Sequence, residues 1–245
     1  MNNYRADIHI HTVLSPCGDI DMSPINIVNK AVSLNLDIIG ITDHNSTLHC
    51  ELIRKIGEKH KLFVLMGAEV TTKEEVHCLA FFEDSNSLKT FQQYLEEYLP
   101  PIVNDVDKFG YQVVVDENED IIDQVEYLLI SGINQSIDQV ERKVHELDGL
   151  FIPAHIDKKS TSLISQLGFI PPDLKADALE ISHNWEKSPE VVAMAKMTNL
   201  PLITNSDAHF IEQIGKQYTI FSLNELSYKG IKEALISKSV KPMLN

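Results

Sequence analysis

The sequence predicts an α/β fold built on parallel strands, and three observations carry that prediction. Short apolar runs alternate with stretches of helical periodicity, histidines and carboxylates gather where the apolar runs stop, and 245 residues suit one barrel or one open sheet. In either architecture the loops after the strands converge on one mouth, where ligands bind. Periodicity alone leaves the barrel and the doubly wound sheet both open.

The first run, Ala6 to Asp19, reads ADIHIHTVLSPCGD. In an extended chain Ile8 and Ile10 share one face, and Asp7, His9 and His11 share the other. Same-face neighbours stand about 6.5–7 Å apart at Cα. Two imidazoles can close that gap onto one cation with bonds of about 2.0–2.1 Å, the alternative being ordinary hydrogen-bonded histidines on a polar face. Ser23 and Pro24 then supply an N-cap and a first helical residue for a helix to about Leu34.

LDIIGIT has the composition of a buried parallel strand and stops at Asp43-His44-Asn45. Asp43 is placed to orient His44 or to serve the turn. Ser46 or Thr47 can cap a helix reaching about His60, on whose surface His49 and His60 read as structural. KLFVLMGAE reads as a third strand ending at Glu69. EVTTKEEVHCLAFF reads as a hairpin turning at Lys73 to Glu75, with His77 early in the returning strand.

Between Asp84 and Ser136 the pattern loosens. SLKTFQQYLEEYLPP predicts a helix stopped by Pro100 and Pro101, YQVVV a short strand, and DENED a charged loop. The segment 84–136 reads as an insertion or cap within a single domain spanning 1–245, or as a structural excursion. Ser136 and Gln139 have capping-box spacing, followed by an apolar stripe at Ile137, Val140, Val144 and Leu147 that Gly149 ends. His145 falls inside this helix and reads as structural. LFIPAH then ends at His155, DALEIS precedes His183, PLITNSDAH ends in Asp207 and His209, and YTIFSL is a last strand before a helix from about Asn224.

Composition narrows the functional classes. The formal charge of −15, from 21 basic and 36 acidic side chains, predicts that extended nucleic acid is an unlikely partner, because polyanions need a positive track. Cys17, Cys50 and Cys78 form no Cys-x-x-Cys pair, which fits a reducing cytoplasm rather than a disulfide framework or a zinc ribbon. No leader-like N-terminus and no apolar run of membrane-spanning length are present, so no membrane role is expected. Oligomeric state is not legible.

Together the residues at the strand ends resemble the polymerase and histidinol phosphatase (PHP) family of metal-dependent phosphoesterases. The resemblance rests on HIH at His9 and His11, Asp19, TDH ending at His44, GAE at Glu69, His77, PAH at His155 and DAH at Asp207 and His209. It implies a distorted (β/α)7 barrel with two to three divalent transition-metal ions, zinc, manganese or iron, at the C-terminal ends of the strands. Carried over by position, His9, His11, Glu69 and Asp207 surround the first metal, and Glu69 bridges to a second that takes His77 and His155. Asp19, His44 and His209 hold the third, with Asp21 and Cys17 as rivals to Asp19. Glu69, Asp207 and His209 are then also the candidate catalytic residues.

Imidazole with carboxylate suits zinc, manganese or iron, whereas calcium prefers oxygen throughout. Lys158 and Lys159 follow PAHID, where an arriving phosphate could be met, and Lys158 and His183 are the candidate substrate-binding residues. The expected function is hydrolysis of a phosphate ester by metal-activated hydroxide, with a small phosphomonoester or nucleotide as substrate. An amidohydrolase-like reaction at carbon and a non-catalytic metal-binding module are the alternatives.

Overall fold

A computed structural model describes residues 1–182 and 184–243. Eleven strands are present among them: β1 (Asn2–Ile10), β2 (Ile38–Ile41), β3 (Phe63–Thr71), β4 (His77–Phe82), β5 (Val113–Val115), β6 (Ile121–Gln124), β7 (Leu150–Pro153), β8 (Leu179–Glu180), β9 (Leu202–Ile203), β10 (Tyr218–Leu223) and β11 (Val240–Met243). The helices are α1 (Pro24–Ser33), α2 (Cys50–Lys59), α3 (Ser85–Tyr98), α4 (Val106–Phe109), α5 (Ile137–Glu146), α6 (Leu163–Leu167), α7 (Pro189–Met197) and α8 (Tyr228–Ile236). The expected last strand, β10, is followed after α8 by β11, which pairs with it antiparallel.

The main sheet has the order β11-β10-β1-β2-β3-β4-β7, and it curls into a distorted barrel. β7 meets β8 through Asp177 N to Phe151 O and Ile156 N to Glu180 O, each 2.9 Å. β8 pairs with β9 in parallel. The chain beyond β9 then bridges back to β1 at Ala208 and Ile10, where His11 N donates to Ala208 O at 3.0 Å. Seven strands therefore close the ring, while β10 and β11 extend it from the outer edge of β1.

Strand direction decides what reaches the mouth. β1, β2 and β3 run parallel, whereas β4 is antiparallel to both β3 and β7. The beginning of β4 thus lies beside the ends of its neighbours. That reversal places His77, the first residue of β4, at the same mouth as residues that terminate other strands.

Two apolar layers follow from the pleat. Inside the ring, Ala6, Ile8, Ile38, Leu65, Leu79, Phe81, Leu150, Ile152, Ala178 and Ile203 form one buried cluster, closed below by Tyr228, Ile231 and Leu235 of α8. Outside it, Ile39, Ile41, Val64, Met66, Ala68 and Phe151 pack against Ile27 and Val28 of α1, Ile53 of α2, Phe91 of α3 and Val140 of α5. The capping box expected at Ser136 forms with both of its bonds.

The face sharing expected for β1 needs correction. Three steps along β1, from Asp7 to Ile10, match two along β2, from Ile39 to Ile41. This extra residue is a bulge, and it shifts the alternation. Ile8 stays with the interior cluster and Ile10 joins the outer one. Asp7 separates from the two histidines and instead accepts from Ser206 N at 3.0 Å and Gly215 N at 2.8 Å, fixing the loop after β9.

The insertion sits over the loop that follows β1. Val114 of β5 packs with Leu14 and Leu129. His49, expected on a helix surface, is instead the buried residue preceding α2, with Thr12 Oγ1 2.7 Å from its Nδ1 and Val115 N donating to its Nε2 at 3.0 Å. Its two ring nitrogens thus join the β1 loop to the insertion.

Candidate metal centre

Glu69 ends the interior face of β3, two residues beyond Gly67 and four beyond Leu65, and is 1% exposed. Its two oxygens meet different histidines. Oε1 lies 3.3 Å from His9 Nε2, 2.8 Å from His77 Nδ1 and 3.0 Å from His155 Nε2. Oε2 lies 3.4 Å from His11 Nε2 and 3.2 Å from His44 Nδ1. Asp207 approaches from the loop after β9, with Oδ1 3.3 Å from both His9 Nε2 and His11 Nε2.

The donor set fits metal ions. His9 Nε2 and His11 Nε2 face each other at 3.3 Å, so two lone pairs converge beside two carboxylates. Among the described residues buried His155 Nδ1 has no hydrogen-bond partner, and His44 Nδ1, although 3.2 Å from Glu69 Oε2, makes no hydrogen bond of good geometry, an arrangement that costs free energy unless something else satisfies them. Among the described residues three groups hold their ligand atoms within 4.8 Å of one another: His9, His11 and Glu69; His44, Glu69 and His77; and His11, Cys17, His44 and His209.

Electrostatics describe the same requirement for positive charge. Burial opposes ionisation of Glu69, yet His77, His9 and His44 hold its carboxyl well below the ordinary carboxylate range. Burial likewise opposes charge on His9, but Glu180, Asp207 and Glu69 raise it well above the ordinary imidazole value. Asp207, also buried, is held well below its ordinary value by His9 and His11. Burial lowers His44, and burial together with the charge of His11 brings His209 down to about 4. Backbone strain falls at the same place: His155 and Asp207 have φ of 29° and 52°, a region side chains other than glycine rarely enter.

The third group departs from the expected one. The Asp19 carboxylate accepts from Asp21 N at 2.9 Å at the surface and belongs to none of the three groups, whereas Cys17 does. Burial, reinforced by the charges of Glu69 and Asp207, pushes the Cys17 thiol up. Lys158 turns inward and pairs with Asp207, while Lys159 is exposed. His183 lies outside the described residues.

Glu180 was not legible as a site residue in the sequence. It ends the interior face of β8, 2% exposed, with its oxygens 3.2 and 3.1 Å from His9 Nδ1; Oε2 accepts from His155 N and Oε1 from Asn205 Nδ2. A carboxylate on the far nitrogen orients the ring and raises its basicity. Ser15 serves His11 similarly, with Oγ 3.1 Å from Nδ1. Asp43 does not orient His44 directly. It accepts from Thr12 N, Thr12 Oγ1 and Ser15 Oγ, and so shapes the loop after β1.

Imidazoles and carboxylates clustered at the mouth of a curled α/β barrel define a class of metal-dependent hydrolases. The chain belongs to the PHP domain family, whose model matches residues 7–158, and a PHP-associated model matches residues 189–240. It is 25% identical to the uncharacterised protein YqxK of Bacillus subtilis over 252 residues, covering 89% of this chain and 58% of that one. Among solved structures, the lesion-specific endonuclease Q of Pyrococcus furiosus superposes with a TM-score of 0.65 at 19% identity, covering 99% of this chain and 58% of that chain. A two-domain protein of Bacteroides vulgatus containing a predicted PHP-like metal-dependent phosphoesterase superposes with a TM-score of 0.61 at 19% identity, covering 100% of this chain and 65% of that chain. The chain thus spans less than two thirds of the length of each.

One expectation is corrected by these likenesses. The expectation from net charge is a small phosphorylated substrate, with extended nucleic acid an unlikely partner. An endonuclease Q of the same fold, with a TM-score of 0.64, is solved with a 27-mer duplex carrying an abasic lesion at its active site. Net charge sums the whole surface, whereas substrate meets the local field of the mouth, where bound cations dominate. The value of −15 therefore does not exclude DNA. Among the described residues no helix is long and apolar enough to cross a membrane.

Proposed function

We propose that this chain hydrolyses phosphate esters at a metal centre organised by Glu69, and that its substrates include nucleic-acid phosphodiesters. The observation that carries the reading is the division of Glu69, with His9, His77 and His155 on one oxygen and His11 and His44 on the other. A carboxylate so placed would serve neighbouring cations with both oxygens. His9, His11 and Asp207 would complete one position, His77 and His155 a second, and His44 and His209 part of a third. Divalent zinc, manganese or iron held there supplies Lewis acidity, acidifies water and stabilises charge on the attacking and leaving oxygens.

The chain's own residues do the rest. Glu180 and Ser15 fix the rings of His9 and His11. Lys158, paired with Asp207 and about one third exposed, is positioned to meet a phosphate oxygen. The 84–136 segment serves as a cap: its hairpin and the loop after β1 enclose a groove of ≈ 650 Å³ lined by Val13, Pro16, Ile20, Tyr111 and Ile121. Such a surface suits the apolar faces of bases. The likeness to endonuclease Q supports the substrate class, and three unpaired cysteines support a reducing cytoplasm.

The test offers purified protein a chromogenic phosphodiester, a DNA duplex with an abasic site, and carboxylic ester and amide controls. Chelator-sensitive cleavage of phosphodiesters, restored by manganese, zinc or iron, is expected. Turnover of the carbon-centred controls alone would replace this reading with an amidohydrolase-like one. No turnover of any substrate by metal-loaded protein would contradict it.

A further inference from the structure

We propose that Cys17, rather than Asp19, completes the third metal position with His44 and His209, beside the His11 ring of the first position, giving a His2Cys site that selects a soft divalent ion, zinc foremost. The proposal rests on the metal centre described above. Its first observation is the gathering of one sulfur and three imidazoles with their ligand atoms within 4.8 Å of one another. The His11 ring lies 4.2 Å from that of His209 and 4.6 Å from that of His44, centroid to centroid.

The second observation is how the loop is built. Ser15 N donates to Thr12 O and Gly18 N to Ser15 O, so two successive turns fold the segment back on itself. A Cβ at Gly18 would meet Thr12 O at 2.2 Å, so a larger side chain there would force this loop open. Asp19 N then donates to His209 O at 2.9 Å, tying the loop to the segment that carries His209. The same geometry turns one oxygen of the Asp19 carboxylate, Oδ1, to Asp21 N at the surface.

A thiolate changes what this position holds. Sulfur favours zinc over manganese, while the imidazole and carboxylate donors around Glu69 and Asp207 accept zinc, manganese or iron. The third position therefore retains zinc when manganese fills the others, and the centre is of mixed metal.

The test is spectroscopic and uses the full chain. Loaded with cobalt(II) alone, the protein should show ligand-field bands and a near-ultraviolet thiolate-to-cobalt charge-transfer band. Cys17→Ser should lose the charge-transfer band while keeping ligand-field bands from the remaining positions, Cys17→Asp should recover a full complement of cobalt without it, and Cys50→Ala, Cys78→Ala and Asp19→Asn should keep it. Labelling gives an independent readout in unaltered protein, because Cys50 and Cys78 are fully buried and Cys17 is not: an alkylating reagent should modify Cys17 in chelated protein and be blocked by zinc. Ligand-field bands without a charge-transfer band, or labelling of Cys17 undiminished by zinc, would overturn the sulfur ligand and leave the metal centre standing. Failure to take up any cobalt would overturn both.

Discussion

At the scale of single residues, Glu69 and Glu180 are two buried carboxylates with separable roles. Glu69 faces five histidines, so Glu69→Gln, which keeps size and removes charge, should lower phosphodiester turnover by about 100-fold or more, as expected when cations lose a bridging ligand. Thermal unfolding of the chelated variant should stay close to that of the chelated parent; unaltered turnover with normal metal content would remove Glu69 from the bridge. Glu180→Gln should weaken metal affinity by about 10–100-fold, the usual effect of losing a partner behind a ligating histidine, as read by competition with a coloured chelator. Equal affinities in variant and parent would make Glu180 a purely structural acceptor. Histidines and acids at strand ends were legible in the sequence because their spacing is local. Glu180 was not, since one acid in a short strand carries no sign of the His9 ring it will face. Nor was the gathering of Cys17, rather than Asp19, beside three histidines, which depends on a loop in which Gly18 packs against Thr12.

At the scale of elements, periodicity located most strands and helices, and the capping box at Ser136 was readable because four residues contain it. The bulge in β1 was not, because it is defined by the pairing of β1 with β2 rather than by either strand's sequence. α2 begins at Cys50 rather than just after Thr47, because the Thr47 backbone and hydroxyl both donate to Gln92 of α3 instead of capping α2. A pH-dependent contact ties α5 to the sheet. Asp177, with Glu141, raises the pKa of His145 despite its partial burial, and Asp177 also accepts from Phe151 N. A raised folded-state pKa means that the contribution is complete below about pH 6.5 and fades as pH rises through the folded value. His145→Gln should therefore cost no more than about 1 kcal/mol at acid pH after solvent screening, and almost nothing well above neutrality. Urea titrations at the two pH values measure it, and an equal loss at both would mean that packing, not charge, is what His145 supplies.

At the scale of the molecule, the sequence pointed to a barrel through the resemblance of its motifs, while closure depends on contacts as distant as Ile10 with Ala208. Net charge misled because it averages over a surface whose active part is small. Burying so many ionisable groups in one mouth is costly without cations, so metal that binds only the folded chain should stabilise it in proportion to the logarithm of its concentration over Kd, by about 2.7 kcal/mol at 100 times Kd. Chelation should accordingly lower the thermal midpoint and zinc should restore it; a midpoint insensitive to both would mean that the cluster is satisfied without metal. The most direct test of the central claim is to titrate chelated protein with manganese, zinc or iron while following bound metal and phosphodiester cleavage together. The account predicts negligible cleavage without metal and a rise that follows occupancy, ending at two to three ions per chain. Undiminished cleavage by demonstrably metal-free protein would contradict it.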